Sequence, residues 1–172
     1  RVLFRSTVVS VTDPAHGIAS YDSDFVYYTP DLNYYGSDQF NYTIFDGNGG
    51  TDVGLVTITV TAVNDLPEAD DDYVTVDEDS VDNQIDVLLN DEDIDGDSLD
   101  VTGVTTAVHG TVTFTSSYVY YTPDGDYNGA DQFNYTMSDG NGGSDSATVY
   151  VTVSSVNDPP VSSDDFVNVN ED

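Results

Sequence analysis

The chain repeats itself with a period of 93 residues, and this period constrains its fold more than any other feature. Residues 8–79 align without a gap onto residues 101–172, and more than half of the aligned positions are identical. His16 returns as His109, and Pro30 returns as Pro123. A fixed internal period means that one structural unit is strung in series. We therefore expect an array of similar domains, and we look for function in the unit and in the joints between units.

Charge excludes several classes of partner. The chain has 33 Asp and Glu residues against two basic residues, which gives a formal net charge of −31. Both basic residues lie in Arg1–Ser6, which resembles a translated adapter and is left out of the fold prediction. Nucleic acid is excluded as a partner, because neutralising phosphates requires Lys and Arg. No apolar run approaches the roughly 20 residues that cross a bilayer, so we expect no membrane insertion.

The patterning predicts an all-β fold. Residues 56–60 and 149–153 alternate apolar with polar side chains at period two, in β-branched and aromatic residue types. Glycine-rich clusters at residues 46–50 and 139–143 supply turns. Seven short strands in a unit of this length match the roughly 100-residue immunoglobulin-like sandwich, a seven-stranded Greek-key fold. Disorder is the competing interpretation of so high a charge, but 38% hydrophobic residues and ordered alternation favour packed cores.

The domain boundaries follow from the period and from two proline-containing linkers. The linkers are residues 63–67 and 156–160, and proline should make both extended and stiff. We predict a truncated first repeat at 1–65 without its own strands A and B, a complete repeat at 66–158, and the start of a third at 159–172. The seven strands of the complete repeat are predicted near residues 73–77, 84–89, 99–107, 111–115, 118–122, 132–138 and 146–154.

The densest acidic segment suggests a calcium loop. Asp91, Asp93, Asp95 and Gly96 reproduce the first half of such a loop, in which alternating carboxylates converge on one ion. Position twelve is Thr102 instead of a bidentate Glu, and strands flank the segment, so it is not an EF-hand. Oxygen ligands without His or Cys favour Ca²⁺ over transition metals.

Electrostatic repulsion supports a cation in the acidic segments. Carboxylates about 5 Å apart repel by about 1 kcal/mol per pair in water, and by several-fold more inside a protein. No Lys or Arg follows residue 5, so no basic side chain can relieve the repulsion within residues 70–72, 78–79 and 91–97. Either these side chains splay into solvent, as an acidic surface without ligand function, or divalent cations hold them.

Topology predicts that the acids converge at the joints. In an immunoglobulin-like sandwich the B–C and F–G loops lie at the end where the chain enters, and the A–B and E–F loops lie where it leaves. The B–C loop and Asp139 should therefore face the linker and the E–F loop of the first repeat, with Asp31 and Asp38. Glu78, Asp126 and Asp131 would begin the next joint. The full set of predicted ligands is Asn64, Asp65, Asp91, Asp93, Asp95, Asp97, Asp139, Asp38, Glu78, Asp131, Asn157 and Asp158.

Several segments together resemble a known family. They are residues 74–79, 85–91, 93–97, 109–112, 121–123, 129–133, 139–143 and 156–160. With them the unit resembles the cadherin-like, VCBS-type tandem repeats of large secreted bacterial adhesins of the RTX type. The resemblance implies an extracellular, calcium-rigidified spacer in a long surface protein, typically exported by a type I system. The likeness extends to animal cadherins: Glu78 resembles their glutamate between strands A and B, and Asp91 with Asp93 resembles their Asp-x-Asp pair. Residues 126–131 are not the cadherin acidic triplet and no tryptophan occurs, so we expect no strand exchange.

Other functions stay open at this stage. A carbohydrate-binding module would need exposed aromatics, and Tyr28, Tyr42, Tyr121 and Tyr135 are candidates, although tyrosines at strand spacing pack more often in a core. An accessory region of a large secreted enzyme is the third alternative. No nucleophile–base–orienter set is apparent and both histidines precede turn glycines, so we expect no catalysis. The expected partners are neighbouring repeats of the same chain, with surface glycans or proteins as further candidates, and we expect a monomer.

Overall fold

A computed structural model describes residues 6–170 of the chain, which divides into two compact units, residues 1–65 and 66–172. The expected adapter segment lies outside the described residues except for Ser6, as do the last two residues of the expected third repeat. Every regular element in the described part is a β-strand. No helix there is long and apolar enough to cross a membrane.

The strands of the two units follow the sequence period. The first unit has five strands: β1 Thr7–Val11, β2 Gly17–Tyr21, β3 Val26–Pro30, β4 Gly36–Phe45 and β5 Thr51–Val60. The second unit has seven: β6 Asp72–Asp77, β7 Asn83–Ile85, β8 Asp100–Val104, β9 Gly110–Phe114, β10 Val119–Pro123, β11 Gly129–Ser138 and β12 Ser144–Ser154. Strands β1 to β5 each begin 93 residues before their counterparts β8 to β12.

The second unit is a two-sheet sandwich. One sheet has the order β6-β12-β11-β8 and the other has the order β7-β10-β9. β6 runs parallel to β12, and the other pairs are antiparallel. Side chains from both sheets share one buried cluster, in which Tyr121, Phe133, Tyr135 and Val149 are 0–2% exposed. The predicted immunoglobulin-like fold with seven strands is confirmed.

The strand near residues 84–89 is shorter than predicted. β7 stops at Ile85, although Val87 continues the inward alternation and is fully buried. The reason lies in its partner, because β10 begins at Val119, directly opposite Ile85. No strand residue remains to pair with residues 86–89, so the chain turns there.

A buried aspartate organises each unit in the same way. Asp131 is 7% exposed and accepts N–H groups of Val108 at 3.1 Å, His109 at 2.9 Å and Gln132 at 2.9 Å, together with the Tyr121 hydroxyl at 2.9 Å. Burial alone would raise the pKa of Asp131, but these donors hold it below its ordinary value.

Asp38 repeats this arrangement with the N–H groups of Ala15, His16 and Gln39 and the Tyr28 hydroxyl, at 2.8–3.1 Å. Asp38 and Asp131 were predicted as metal ligands. The structure gives both another role, because donors of the chain itself surround their oxygens, and neither is carried into a metal site below.

The histidine–glycine pairs complete this turn. His109 stacks on Tyr127 with ring centroids 4.0 Å apart, and His16 stacks on Tyr34 at 4.2 Å. A Cβ on Gly110 would lie 2.7 Å from the carbonyl oxygen of Thr122, so only glycine fits beside that strand. Both histidines are therefore part of a turn that packs against the neighbouring strands.

The first unit has a more open core than the second. Val26, Tyr42 and Ile44 are half-buried, whereas their counterparts Val119, Tyr135 and Met137 are fully buried. Within residues 6–65 there are no counterparts of β6 and β7 to cover these side chains. The four tyrosines considered as a sugar-stacking surface do not form one, because Tyr121 and Tyr135 are fully buried and Tyr28 and Tyr42 are half-buried.

We predict that Asp131→Asn destabilises the second unit by about 2 kcal/mol, because an amide cannot accept all four donors that reach this buried position. Calorimetry of the whole chain should show one transition lowered by roughly 10 °C. Asp100→Asn, which removes the same charge from an exposed position, is the matched control and should leave the transition in place. An equal shift in both variants would show that charge, and not the hydrogen bonds, sets the stability.

Candidate metal centres

The acidic loop between β7 and β8 curls around one carboxylate. The Oδ1 atom of Asp93 accepts the N–H groups of Asp95 at 3.0 Å and Asp97 at 3.1 Å. The N–H of Gly96 donates to the Asp93 carbonyl at 3.1 Å, and Gly96 has a φ of 77°, which glycine adopts without strain. This turn brings the side chains of residues 93, 95 and 97 together. The predicted loop began with Asp91, which is not part of this group.

The geometry of this loop suits a divalent cation. Asp93, Asp95 and Asp97 each offer a carboxylate oxygen, and the three oxygens lie within 4.8 Å of one another. Calcium ligands lie 2.3–2.6 Å from the ion, so oxygens that share one ion are at most about 5 Å apart. The Oδ2 atom of Asp93 is buried and has no hydrogen-bond partner within the described residues. A buried carboxylate oxygen without a donor is costly unless a cation approaches it.

The turn between β11 and β12 contacts this loop. The Asn141 side-chain amide donates to the Oδ2 atom of Asp97 at 2.7 Å. Asp139, which is 4% exposed, shapes the turn by accepting the N–H groups of Asn141 at 2.8 Å and Gly143 at 2.9 Å. The predicted proximity of Asp139 and the acidic loop therefore exists within the unit. Asn141 was missed, although its Asp-Gly-Asn-Gly-Gly turn was visible in the sequence.

Asp91 lies apart from the group of three. Both of its oxygens accept the Tyr135 hydroxyl at 2.8 Å, and Oδ1 accepts the N–H of Asp70 at 2.9 Å. Burial raises the pKa of Asp91 above its ordinary value, and these donors only partly offset it. The structure thus ties Asp91 to the core tyrosine and to the segment before β6.

A neighbouring carboxyl is more strongly perturbed. Burial, followed by the charges of Asp91, Asp71 and Asp86, raises the pKa of Asp72 to about 7. The Oδ2 atom of Asp72 is buried and has no hydrogen-bond partner among residues 6–170. A proton on this carboxyl is the simplest way to relieve it at neutral pH when no cation is near.

A second group of acids lies at the other end of β11. Asp79, Asp126 and Asp158 each place an oxygen within 4.8 Å of the others. Asp79 and Asp126 have φ angles of 62° and 58°, and the N–H of Asp126 donates to the Oδ1 atom of Asp79 at 3.1 Å. Partial desolvation, followed by the charges of Asp79, Asp126 and Glu78, raises the pKa of Asp158. The sequence placed Asp79 among the crowded acids at residues 78–79, but the set of predicted ligands did not include it.

Glu78 supports this second group from within the fold. It is 5% exposed, and its oxygens accept the N–H of Val156 at 2.6 Å and the Asn128 amide at 3.2 Å. The asparagines of the linkers behave alike, because Asn157 donates its amide to the carbonyl of Asp158 at 3.2 Å and Asn64 donates to that of Asp65 at 2.9 Å. The predicted meeting of Asn64 and Asp65 with the acidic loop of the second unit stays a prediction.

The donor sets of both groups fit a hard cation. All six carboxylates offer oxygen alone, and neither histidine belongs to a group of potential ligands in the described part of the chain. Oxygen donors with flexible spacing favour Ca²⁺ over transition metals and over the strictly octahedral Mg²⁺. The residues of the Asp93 loop fit better, because they combine convergence with a buried oxygen that lacks a donor.

We predict that the stability of the second unit, measured in chelator, falls as pH rises from about 4 to about 7. In this window Asp72 keeps its proton in the folded chain, with a pKa of about 7, and loses it in the unfolded chain, with a pKa of 3.8. The folded state then binds more protons, so raising the pH favours unfolding. Asp131 has a lowered pKa, so its effect on stability falls at pH values below this window.

Asp72→Asn should reduce that slope, to which the raised pKa values of Asp91 and Asp158 also contribute, and should stabilise the unit at pH 8, because an amide does not ionise. Asp77→Asn, at an exposed position of the same strand, is the control and should keep the slope. Urea unfolding at a series of pH values measures both. The same slope in wild type and Asp72→Asn would contradict the assignment.

Comparison with known proteins identifies domains that are similar to this chain. The sequence profile described as bacterial Ig domain matches residues 3–59 and 64–152. Domains EC1-2 of a human mucin-like protocadherin superpose with a TM-score of 0.54 at 17% identity, covering 88% of this chain and 84% of that one. Extracellular cadherin domains 1–5 of protocadherin gamma B2 give 0.57 at 16% identity, covering 90% and 33%. These identities show a shared cadherin-like fold alone.

An endo-fucoidan hydrolase of glycoside hydrolase family 107 gives a TM-score of 0.39 at 19% identity, covering 88% of this chain and 24% of that chain. The chain therefore spans about a quarter of the hydrolase. No curated protein sequence matches. The profile match extends over most of both units, and the chain therefore belongs to the bacterial Ig domain family.

Proposed function

We propose that this chain is a calcium-binding spacer segment of a bacterial surface or secreted adhesin, in which Ca²⁺ binds at the ends of each repeat and stiffens the array. The observation that carries the proposal is the buried, donor-free Oδ2 atom of Asp93 beside the carboxylates of Asp95 and Asp97. A proton or a cation can satisfy that oxygen, and three adjacent carboxylates favour the cation.

The position of the two acidic groups suits a role in joining repeats. Asn128 and Glu78 lie beside one group, at the start of β11, and Asn141 contacts the other just past its end. β11 has ten residues, so it separates the groups by roughly 30 Å. A repeat with acids at both ends can share ions with the repeat before it and the repeat after it. We propose Asn64, Asp65, Asn157 and Asp158 as the linker contributions to such shared sites.

The mechanism is thermodynamic linkage. An ion that binds the folded unit and not the unfolded chain adds RT ln(1 + [Ca²⁺]/Kd) to stability. Extracellular calcium modules bind in roughly the 10⁻⁴–10⁻³ M range, so such sites are empty in the cytosol and filled outside the cell. Calcium would then favour the folded array after export. The proposed role is structural and assigns no catalytic step to this chain.

We predict that calcium at about 100-fold over its Kd raises the stability of the second unit by about 2.7 kcal/mol relative to chelator. For a unit of this size the melting temperature should rise by on the order of 10 °C. The double variant Asp93→Asn with Asp95→Asn should lose most of this response, because two of the three convergent charges are gone.

The matched control is Asp100→Asn with Asp124→Asn, which removes two exposed charges elsewhere on the same unit. Its melting temperature in chelator can rise, since net repulsion falls, but its response to calcium should equal that of wild type. Scanning calorimetry of the whole chain in millimolar Ca²⁺ and in chelator measures all three proteins. No calcium response in wild type, or an unchanged response in the Asp93 and Asp95 variant, would rule the proposal out.

A further inference from the structure

The second unit has an uncharged strip in a chain of net charge −31, bordered by Asp77 of β6 and Asp100 of β8. It is the outer face of β11 and β12, where side chains alternate with the buried ones. None of its positions is acidic or basic: Ala130, Gln132, Asn134, Thr136 and Ser138 on β11, and Ser144, Ser146, Thr148, Tyr150, Thr152 and Ser154 on β12. The acids of the unit are concentrated in its loops, so this face differs in chemistry from the ends of the sandwich.

An aromatic pair lies on this face. Gln132 pairs with Tyr150 in the ladder, and Tyr150 pairs with Tyr73 of β6, so the three side chains form one row across three strands. The two tyrosine rings stack with centroids 5.1 Å apart and planes 15° from parallel. Tyr73 is 79% exposed and Tyr150 is 38% exposed. The stacking thus places two aromatic rings side by side on a solvent-exposed surface.

A shallow groove of about 440 Å³ adjoins Tyr150. Gln132, Thr152 and His109 are among the residues that line it, as is Asp131, whose oxygens already accept hydrogen bonds from the chain. The side chains of Gln132 and Thr152 have no hydrogen-bond partner in residues 6–170, so their amide and hydroxyl groups are available to a ligand. An aromatic wall beside a few available polar groups is the usual composition of a small-molecule or oligosaccharide subsite.

We propose that the outer face centred on Tyr73, Tyr150 and Gln132 binds a neutral polysaccharide. The C–H faces of a pyranose ring pack on aromatic rings, and its hydroxyls bond with amide and hydroxyl side chains. Anionic polysaccharides are disfavoured because no Lys or Arg follows residue 5 and the surrounding field is negative. A second copy of the chain is disfavoured for the same reason, since two bodies of charge −31 repel.

The first unit provides an internal comparison. Its corresponding strands β4 and β5 keep Gln39 and Thr59 at the positions of Gln132 and Thr152, but Thr57 replaces Tyr150. Within residues 6–65 no strand occupies the place of β6, so no counterpart of Tyr73 lies beside it. The proposal therefore assigns the polysaccharide site to the second unit alone.

The test is native electrophoresis of the whole chain, in 1 mM Ca²⁺, through gels that contain hydroxyethyl cellulose, galactomannan, xyloglucan or the anionic control alginate. Wild type should be retarded by at least one of the neutral polymers and not by alginate. Tyr150→Thr, which copies the first unit, should weaken apparent affinity about tenfold, the size expected for a lost aromatic contact. Gln132→Ala should weaken it by a smaller factor, and Thr57→Val should leave it unchanged.

Four outcomes would overturn the proposal: no retardation in any neutral gel, retardation in alginate alone, retardation that Tyr150→Thr leaves intact, or a dimer in sedimentation equilibrium that Tyr150→Thr dissociates. Melting temperatures of the variants confirm that they fold, which is expected because the mutated side chains are exposed. The site includes none of the acids of the metal centres, so the loss of calcium binding in Asp93→Asn with Asp95→Asn should leave polysaccharide retardation unchanged.

Discussion

The fold has to place about thirty carboxylates without a single positively charged side chain after residue 5. Every buried acid must therefore be satisfied by backbone N–H groups, by hydroxyls, by a proton or by a cation from solution. Asp131 uses three N–H groups and a tyrosine hydroxyl, and Asp139 uses the N–H groups of its own turn. These acids stabilise the chain internally. The oxygens that lack such donors, on Asp72 and Asp93, are the ones for which a proton or an ion is required.

The number of hydrogen-bond donors around each acid separates the acids with a structural role from the candidate ligands. Asp38 and Asp131 are both buried, yet donors already surround them, so an ion at either position would have to displace four hydrogen bonds. Asp93 uses only one oxygen to shape its loop and presents the other to Asp95 and Asp97. An ion at that point would satisfy an oxygen that has no hydrogen-bond partner among residues 6–170. The same argument makes Asp91 a weaker ligand than the sequence suggested, because the Tyr135 hydroxyl engages both of its oxygens.

Sequence reasoning was most accurate where a local pattern determines the structure. The period and the alternation predicted six of the seven strands of the second unit within a few residues, and the calcium-loop pattern of Asp91, Asp93 and Asp95 predicted two of the three acids that converge. It failed where the outcome depends on residues distant in the chain. β7 ends early because of where β10 begins, and Asp131 is a hydrogen-bond acceptor because residues 108 and 109 reach it from another turn. Tyr73 and Tyr150 become neighbours only through the parallel register of β6 and β12, which no local pattern specifies.

The separation of charge along the unit links the two proposals. Most acids of the unit lie in its loops, which supply backbone N–H groups and room for an ion, whereas a sheet uses most of its N–H groups in the ladder. The outward positions of β11 and β12 carry Thr, Ser, Asn, Gln, Tyr and one Ala, whereas the two outer strands of the same sheet carry Asp77 and Asp100. The proposed calcium sites lie among the loop acids of the unit, and the proposed polysaccharide site lies on its uncharged strand positions. The lack of positive side chains after residue 5 bears on both proposals, because it leaves the loop acids to be satisfied by donors, protons or cations and gives an anionic ligand no basic side chain to bind.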